Sequence, residues 1–506
     1  MLPWASVLAV SGLALPAPGL SFASISITPH SALLRVPSQR LAKYGSHRVQ
    51  HVEAKSHVGA TRSSNRLRVA VMTSPKVERV AVVGGGIGGL TLAIALQALQ
   101  TGVKEVQVFE RSTAIIPGIG GGVQINSGAV VLGRLGLGDT IKAAGNRVKR
   151  ILSRTVGGRV ILDLDIDGII ASDPKLGDTI VDDGTPMLFT FMRDHLLQIL
   201  ADRVAEGTIN FSREVTRVDE TATGTFLSFS DGSTAGPFDL VVGADGIKGP
   251  VRAVMETSKG RPGWGQAEGQ RKGNKPLYSG IRIQFGVAPA GQRPSGAEEE
   301  VHQWFGGDTY GLTATYGGMG DKKYEMLWAV YPDSSSKGEN TAWDAINCKD
   351  SYLQRLEERG FPLEVTMVAK ASERYFELGV HYRNPLQPWV GGKEGQVVLL
   401  GDAAHAMPPN LGQGANQAIQ DAYCLAECIR ELNLGGYDRD VGRAMHQYES
   451  MRKPTTTSLL AKSAIVGGIE TLQGPLGEAF RDNFFFGMWK TGIAGKMFFD
   501  GTVPKV

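Results

Sequence analysis

The stretch VAVVGGGIGGLTLAIALQALQTGVKEVQVFE, residues 80–110, limits the possible folds more than any other part of this chain. An apolar strand runs into Gly84, Gly86 and Gly89 at GxGxxG spacing, and a helix pattern follows. A second strand then ends on Glu110, 21 residues past Gly89. Gly84 permits the tight strand-to-helix turn, Gly86 lets a pyrophosphate approach the backbone, and Gly89 lets helix and strand pack closely. The helix N-terminus offers N–H groups to phosphates, and Glu110 can accept hydrogen bonds from ribose hydroxyls. A lone glycine triplet marks many loops. Strand, glycines, helix, strand and terminal acid together specify a dinucleotide-binding βαβ unit. On this unit alone the ligand is either FAD or NAD(P).

A chain of 506 residues has length for two or three domains and a large core. With 42% apolar and 20% charged residues it reads as a soluble globular protein. The net charge of +3 hides an asymmetry. Residues 1–77 carry nine Lys/Arg against one acid, Glu53, a net +8, so the remainder carries −5. The basic balance lies in the leader and gives no support to nucleic-acid binding. Three cysteines, Cys348, Cys424 and Cys428, cannot make a disulfide framework, and Cys424 and Cys428, four apart, read as small apolar residues of a helix core. No HExxH, GxSxG, paired CxxC or EF-hand pattern supports metal or acyl-transfer chemistry. Beyond the leader no apolar run is long enough to span a bilayer.

Residues 1–76 read as a targeting leader. Residues 1–24 are uncharged, with the apolar run VLAVSGLAL ended by Pro16 and Pro18; residues 25–76 are rich in Ser, Arg and Lys. The order resembles the two-part leaders of algal plastid proteins, with a mitochondrial presequence as the alternative.

Two later segments carry chemistry. In FDLVVGADGIKGPVR (238–252) a short strand delivers Asp245 to its C-terminal end, where ligands of parallel sheets sit, and Arg252 follows. In GQVVLLGDAAHAMPPNLGQGANQAIQDAYCLAECI (395–429) a strand ends on Gly401-Asp402, a proline-bearing loop follows, and Gly412-Gln413-Gly414 opens a helix. Ala415, Ile419, Ala422, Ala426 and Ile429 form the expected buried stripe of that helix. A carboxylate and a positive helix end thereby meet at one edge of a cofactor.

Taken together, the three segments resemble the class A flavoprotein monooxygenases, the family of aromatic hydroxylases and zeaxanthin epoxidases. GGGIGG resembles the family's dinucleotide fingerprint, LVVGADGIKGPVR its DG motif and GDAAHAMPPNLGQGANQAIQDA its GD motif. Phe191-Met192-Arg193 and YESMRKP (448–454) add to the likeness, which spans about residues 77–480. The resemblance implies an α/β fold: an FAD/NAD(P)-binding Rossmann-like domain with an inserted mixed or antiparallel β-sheet substrate domain, as in para-hydroxybenzoate hydroxylase. It implies FAD as cofactor and NAD(P)H as transient co-substrate. By position, Gly84, Gly86, Gly89, Glu110 and Arg111 would hold the FAD adenosine and pyrophosphate, with Arg193 near the pyrophosphate and Val215 at the adenine. Gly122 and Gln124 belong to a glycine loop beside the isoalloxazine. Asp402 would serve the phosphate–ribityl region, and Gly412, Gly414 and Ala415 would face the flavin. Asp245 would serve FAD and NAD(P)H, although Gly249 stands where the DG motif usually has serine. His405, inside the GD motif, reads as a packed structural residue.

The implied activity is insertion of one atom of O₂ into a small apolar or aromatic substrate through a flavin hydroperoxide, giving hydroxylation or epoxidation. A plastid reductase of the same fold, acting on a prenyl or carotenoid substrate, is the alternative. No catalytic side chain is assigned. The expected organisation is an FAD-binding domain of residues 77–150, 186–255 and 395–432, and a substrate sheet of 151–185 and 256–394, read from alternating stretches such as RVILDLDI and YEMLWAVY. C-terminal helices would occupy 433–506. Tyr278, Arg282, Trp304, Tyr310, Tyr316 and Trp328 are candidates for the substrate pocket, of which one or two are expected to touch substrate. The aromatic tail, with Phe484-Phe485-Phe486, is expected to pack on the body and not on a membrane. Residues 261–276 read as a surface loop.

Overall fold

The computed structural model describes residues 76–252, 275–334, 348–392, 394–504 and 506. The leader up to residue 75 and the expected loop as far as residue 274 lie outside the described residues. Everything described falls within one compact unit, residues 74–506.

Its first layer is a six-stranded sheet. The strand Arg79–Val83 pairs in parallel with Glu105–Phe109 on one side and Leu240–Gly243 on the other. Val397–Leu399 continues the parallel array beyond Leu240–Gly243, and Val390–Gly391 closes that edge antiparallel. These central strands are buried on both faces, which explains their unbroken runs of Val and Leu. Helix Ile87–Ala98 packs against the sheet, with ten of its twelve residues buried. Three strands therefore point their C-terminal ends the same way, and each is followed by one of the segments singled out above: Gly84, Ala244-Asp245 and Gly401-Asp402.

The second layer is a ten-stranded, mainly antiparallel sheet. Its path runs Arg374–Tyr382, Leu277–Pro289, Lys323–Pro332, Thr309–Gly317, Glu300–Gly306, Arg150–Thr155 and Val160–Asp165. A branch carries the glycine loop into the same sheet: Phe189–Met192 pairs with Thr309–Gly317 through Phe191 and Gly317, and antiparallel with Gly122–Ile125. The glycine loop is thus hydrogen-bonded into the substrate sheet.

Two stretches expected as strand are helical. Within 151–185, helices Ile166–Ser172 and Pro174–Ile180 follow the second strand. Asp165 accepts a bond from Gly168 N and Asp173 one from Lys175 N, with Pro174 at the first turn. These two caps and a proline outweigh the β-branched content. Within 256–394, helices Lys349–Glu358 and Leu363–Ala371 cover one face of the sheet, with Tyr352 and Leu356 buried at a spacing of four. The C-terminal segment forms helices Val441–Glu470, Gly474–Lys490 and Ile493–Thr502. No helix of the described residues is long and apolar enough to cross a membrane.

Candidate functional site

Between the two layers lies a cavity of about 790 Å³. At its phosphate end the glycines divide into two kinds. A Cβ on Gly84 (φ +107°) would stand 2.4 Å from Ala244 O, and one on Gly89 would stand 2.1 Å from Gly84 O, so these two serve close packing. A Cβ on Gly86 would meet nothing within 4 Å: it would point into the cavity. Helix Ile87–Ala98 starts at Gly86 with no side-chain cap, which leaves its first N–H groups to a ligand. Glu110 braces the turn, accepting from Gly85 N through Oε2 and from Ser112 N through Oε1, each at 2.8 Å.

Arg193 and Asp402 face the same space. Asp402 opens the short helix Asp402–His405 and is exposed, but its exposure is to the cavity. Burial raises its carboxyl above the ordinary range, with His405 and Arg193 opposing. Burial likewise lowers Arg193, against the pull of Asp402, Glu110 and Asp194. A cation and an anion held in a desolvated space with room beside them suit a ligand that carries both phosphates and hydroxyls.

The flavin end is tied together by a residue that sequence reasoning passed over. Asn416, fully buried, accepts from Asn126 N (2.8 Å) and Gly128 N (3.0 Å) and donates to Gln124 O (3.0 Å) and Gly412 O (2.9 Å). One amide thus joins the glycine loop, the following helix and the turn at Gly412, which is left-handed (φ +62°). Helix Gly414–Asn433 then starts without a side-chain cap, its first turn at the cavity. Gly122 has its own reason: a Cβ there would enter the Tyr316 ring at 2.1 Å.

Of the sequence candidates, Gly86, Gly122, Gln124, Arg193, Asp402, Gly412, Gly414 and Ala415 line this cavity. Gly84 and Gly89 lie behind the turn. Glu110, Arg111 and Val215 are not among its lining residues; Arg111 is exposed and Val215 is buried at the start of strand Val215–Thr221. Asp245 turns away from the cavity. Its Oδ2 accepts from Val251 N at 2.8 Å, and a Cβ on Gly249 would stand 1.9 Å from its Cγ. Glycine in place of serine is what lets the carboxylate fold back onto this loop. Burial pushes Asp245 up to about 6.

His405 is 2% exposed and bonds through Nε2 to Asp421, which also accepts from Gly401 N. Arg452 reaches the same carboxylate from the YESMRKP segment. Both cysteines of helix Gly414–Asn433 are free and buried in the core.

Tyr310, Tyr316 and Trp328, three of the six pocket candidates, line the far end of the cavity. Tyr278 instead bonds Asp333, Arg282 pairs with Asp333 and Glu377, and Trp304 packs in a separate cluster beneath Arg154. Glu470, Asn410 and Gln303 also line that end and were not anticipated, because nothing in their local sequence marks them.

The open space at Gly86, the bare helix start at Gly414 and the Arg193–Asp402 pair fit FAD. Residues 78–463 match the FAD binding domain family. The aurachin C monooxygenase/isomerase of Stigmatella aurantiaca is 28% identical over 77% of this chain and 89% of its own length. The chloroplastic zeaxanthin epoxidase of Solanum lycopersicum is 31% identical over 74% of this chain and 52% of its own. Among solved structures, Klebsiella pneumoniae HpxO complexed with FAD and uric acid shares the fold, with a TM-score of 0.66 and 21% identity over 84% of this chain and 97% of its own.

Proposed function

The chain belongs to the FAD binding domain family, as an enzyme of the class A FAD-dependent monooxygenase type, and from that premise we propose that it uses NAD(P)H and O₂ to hydroxylate or epoxidise an apolar ring substrate. The observation that carries this reading is the continuity of the cavity. The residues fitted to FAD share one space with an apolar chamber walled by Leu162, Leu164, Val301, Leu312 and Phe485. FAD, once bound, supplies the redox and oxygen chemistry. The protein's own residues position and protect. The Gly86 turn and Arg193 take the pyrophosphate, Asp402 takes ribityl or phosphate-side hydroxyls, and Glu110 takes the ribose. The start of helix Gly414–Asn433 stabilises negative charge on the adjoining ring edge. The aliphatic and aromatic walls keep water from the reacting centre.

The space must hold the flavin ring as well as substrate, which supports a single ring system or one ring end of a longer polyene. The basic leader supports delivery to a plastid. Following NADH and NADPH oxidation, O₂ uptake and product formation across phenols, zeaxanthin and β-carotene tests the reading. Substrate-dependent O₂ uptake matched by oxygenated product supports it. Substrate saturation without O₂ uptake would favour the reductase.

A further inference from the structure

Among the aliphatic and aromatic walls at the substrate end of the cavity stands a polar cluster around Glu470. Glu470, the last residue of helix Val441–Glu470, is 3% exposed and faces this space. Asn410 Nδ2 donates to its Oε2 at 2.8 Å, which leaves Oε1 to the cavity that the residue lines. Asn410 Oδ1 is buried without a partner against Gly467 and is closed off from the cavity. Asn410 sits in the turn Pro409–Leu411, directly before Gly412 of the flavin-facing loop. Gly467 keeps the helix bare where the two meet: a Cβ there would come within 2.7 Å of Asn410 Oδ1. Tyr310, reached by Gln303, is a further polar group of this end, and Gln303 is held by Ser153 Oγ at 2.6 Å.

A purely structural role explains this poorly. An acid in the last turn of a helix opposes the helix dipole. The cation whose field reaches it, Arg481, uses its own donors on Gly307 O (2.7 Å) and Asp482 (2.9 Å). Burial pushes Glu470 up to about 8, with the Asn410 bond and Arg481 opposing. At pH 7 the carboxyl is then largely neutral and carries one O–H. Asn410 already donates to Oε2, so that O–H belongs to Oε1. A free donor thus faces an apolar chamber, where a bound oxygen atom would accept from it.

We propose that Glu470, oriented by the Asn410 bond, anchors a single hydroxyl or carbonyl oxygen of an otherwise apolar substrate, and so chooses which ring carbon faces the flavin. This rests on the reading of the cavity as FAD plus substrate. A hydroxyl or a carbonyl oxygen accepts from the Glu470 O–H at Oε1. The substrate class is a phenol, ring alcohol or cyclic ketone, and not a bare hydrocarbon or a carboxylate.

The test is titration of the flavin absorbance of the full-length holoprotein with 2-naphthol and with naphthalene. The parent should bind 2-naphthol about tenfold more tightly. Glu470→Gln, which keeps a donor, should retain most of that preference, and Glu470→Leu should abolish it while still binding naphthalene. Should Glu470→Leu fail to fold, Asn410→Leu, which removes the bond that orients Glu470, makes the same comparison and should weaken only 2-naphthol. A preference for 2-naphthol that survives these variants overturns the proposal, as does its absence in FAD-loaded parent. A parent that holds no FAD would contradict the underlying reading instead.

Discussion

Arg452 Nε donates to Asp421 Oδ1 at 2.8 Å, and both side chains are fully buried. This pair bolts helix Gly414–Asn433, whose first turn faces the cavity, to helix Val441–Glu470, which carries Glu470. Gln417 Oε1 accepts a further bond from Arg452 at 2.6 Å. Truncating one partner leaves the other as an uncompensated buried charge. Arg452→Met should therefore cost about 3–5 kcal/mol, read by urea unfolding of the holoprotein. A loss under 1 kcal/mol would mean the pair does not hold the two helices together.

The same carboxylate sets an acid limit. Burial opposes its charge, but His405 and Arg452 win and hold Asp421 down at about 2, against 3.8 ordinarily. Its contribution is present above pH 3.8 and lost as pH falls through about 2. Glu470 works the other way. Raised from 4.5 to about 8, it contributes fully below pH 4.5 and loses that contribution as pH rises through about 8. Thermal unfolding of the parent between pH 5 and 9 should show Tm falling toward the alkaline end. Glu470→Gln should flatten that slope.

Much of the cofactor half was legible in the sequence because its constraints are local. Gly84 and Gly89 admit no Cβ, Asp402 follows a buried strand, and Gly412 adopts a left-handed turn; each restricts residue type at a fixed spacing. Asn416 and Arg452 were present in the quoted segments, yet their partners lie hundreds of residues away at Asn126 or on another helix, so local spacing could not assign them. Glu470 was invisible for the same reason: its surroundings are built from the Pro409–Leu411 turn and the far sheet. The helices over 166–180 were misread because β-branched residues were weighted above the Asp165 and Asp173 caps.

Asn416 offers a direct measure of that long-range tie. Asn416→Leu strands the N–H groups of Asn126 and Gly128 and frees the Gly412 turn. FAD affinity of the reconstituted apoprotein should fall by about tenfold or more, with a shifted flavin absorbance band. An unchanged affinity and spectrum would show that the flavin end does not depend on this amide.

Gly249 should resist any side chain. Gly249→Ala places a methyl 1.9 Å from Asp245 Cγ, which must expel the carboxylate from its bond to Val251 N. The rate of flavin reduction by NADPH and NADH, followed by stopped flow, should change more than FAD content does. Reduction rates equal to the parent's with both nicotinamides would separate Asp245 from co-substrate handling.

The central claim is that the Gly86 turn and the Asp402–Gly414 segment enclose one FAD. Gly86→Leu tests it most directly, because Gly86 has an ordinary backbone (φ −78°) and its added side chain meets no protein atom within 4 Å of the Cβ. The variant should fold with the parent's circular dichroism and apoprotein Tm, yet lose FAD affinity by about 100-fold. A folded Gly86→Leu that retains stoichiometric FAD would contradict the account.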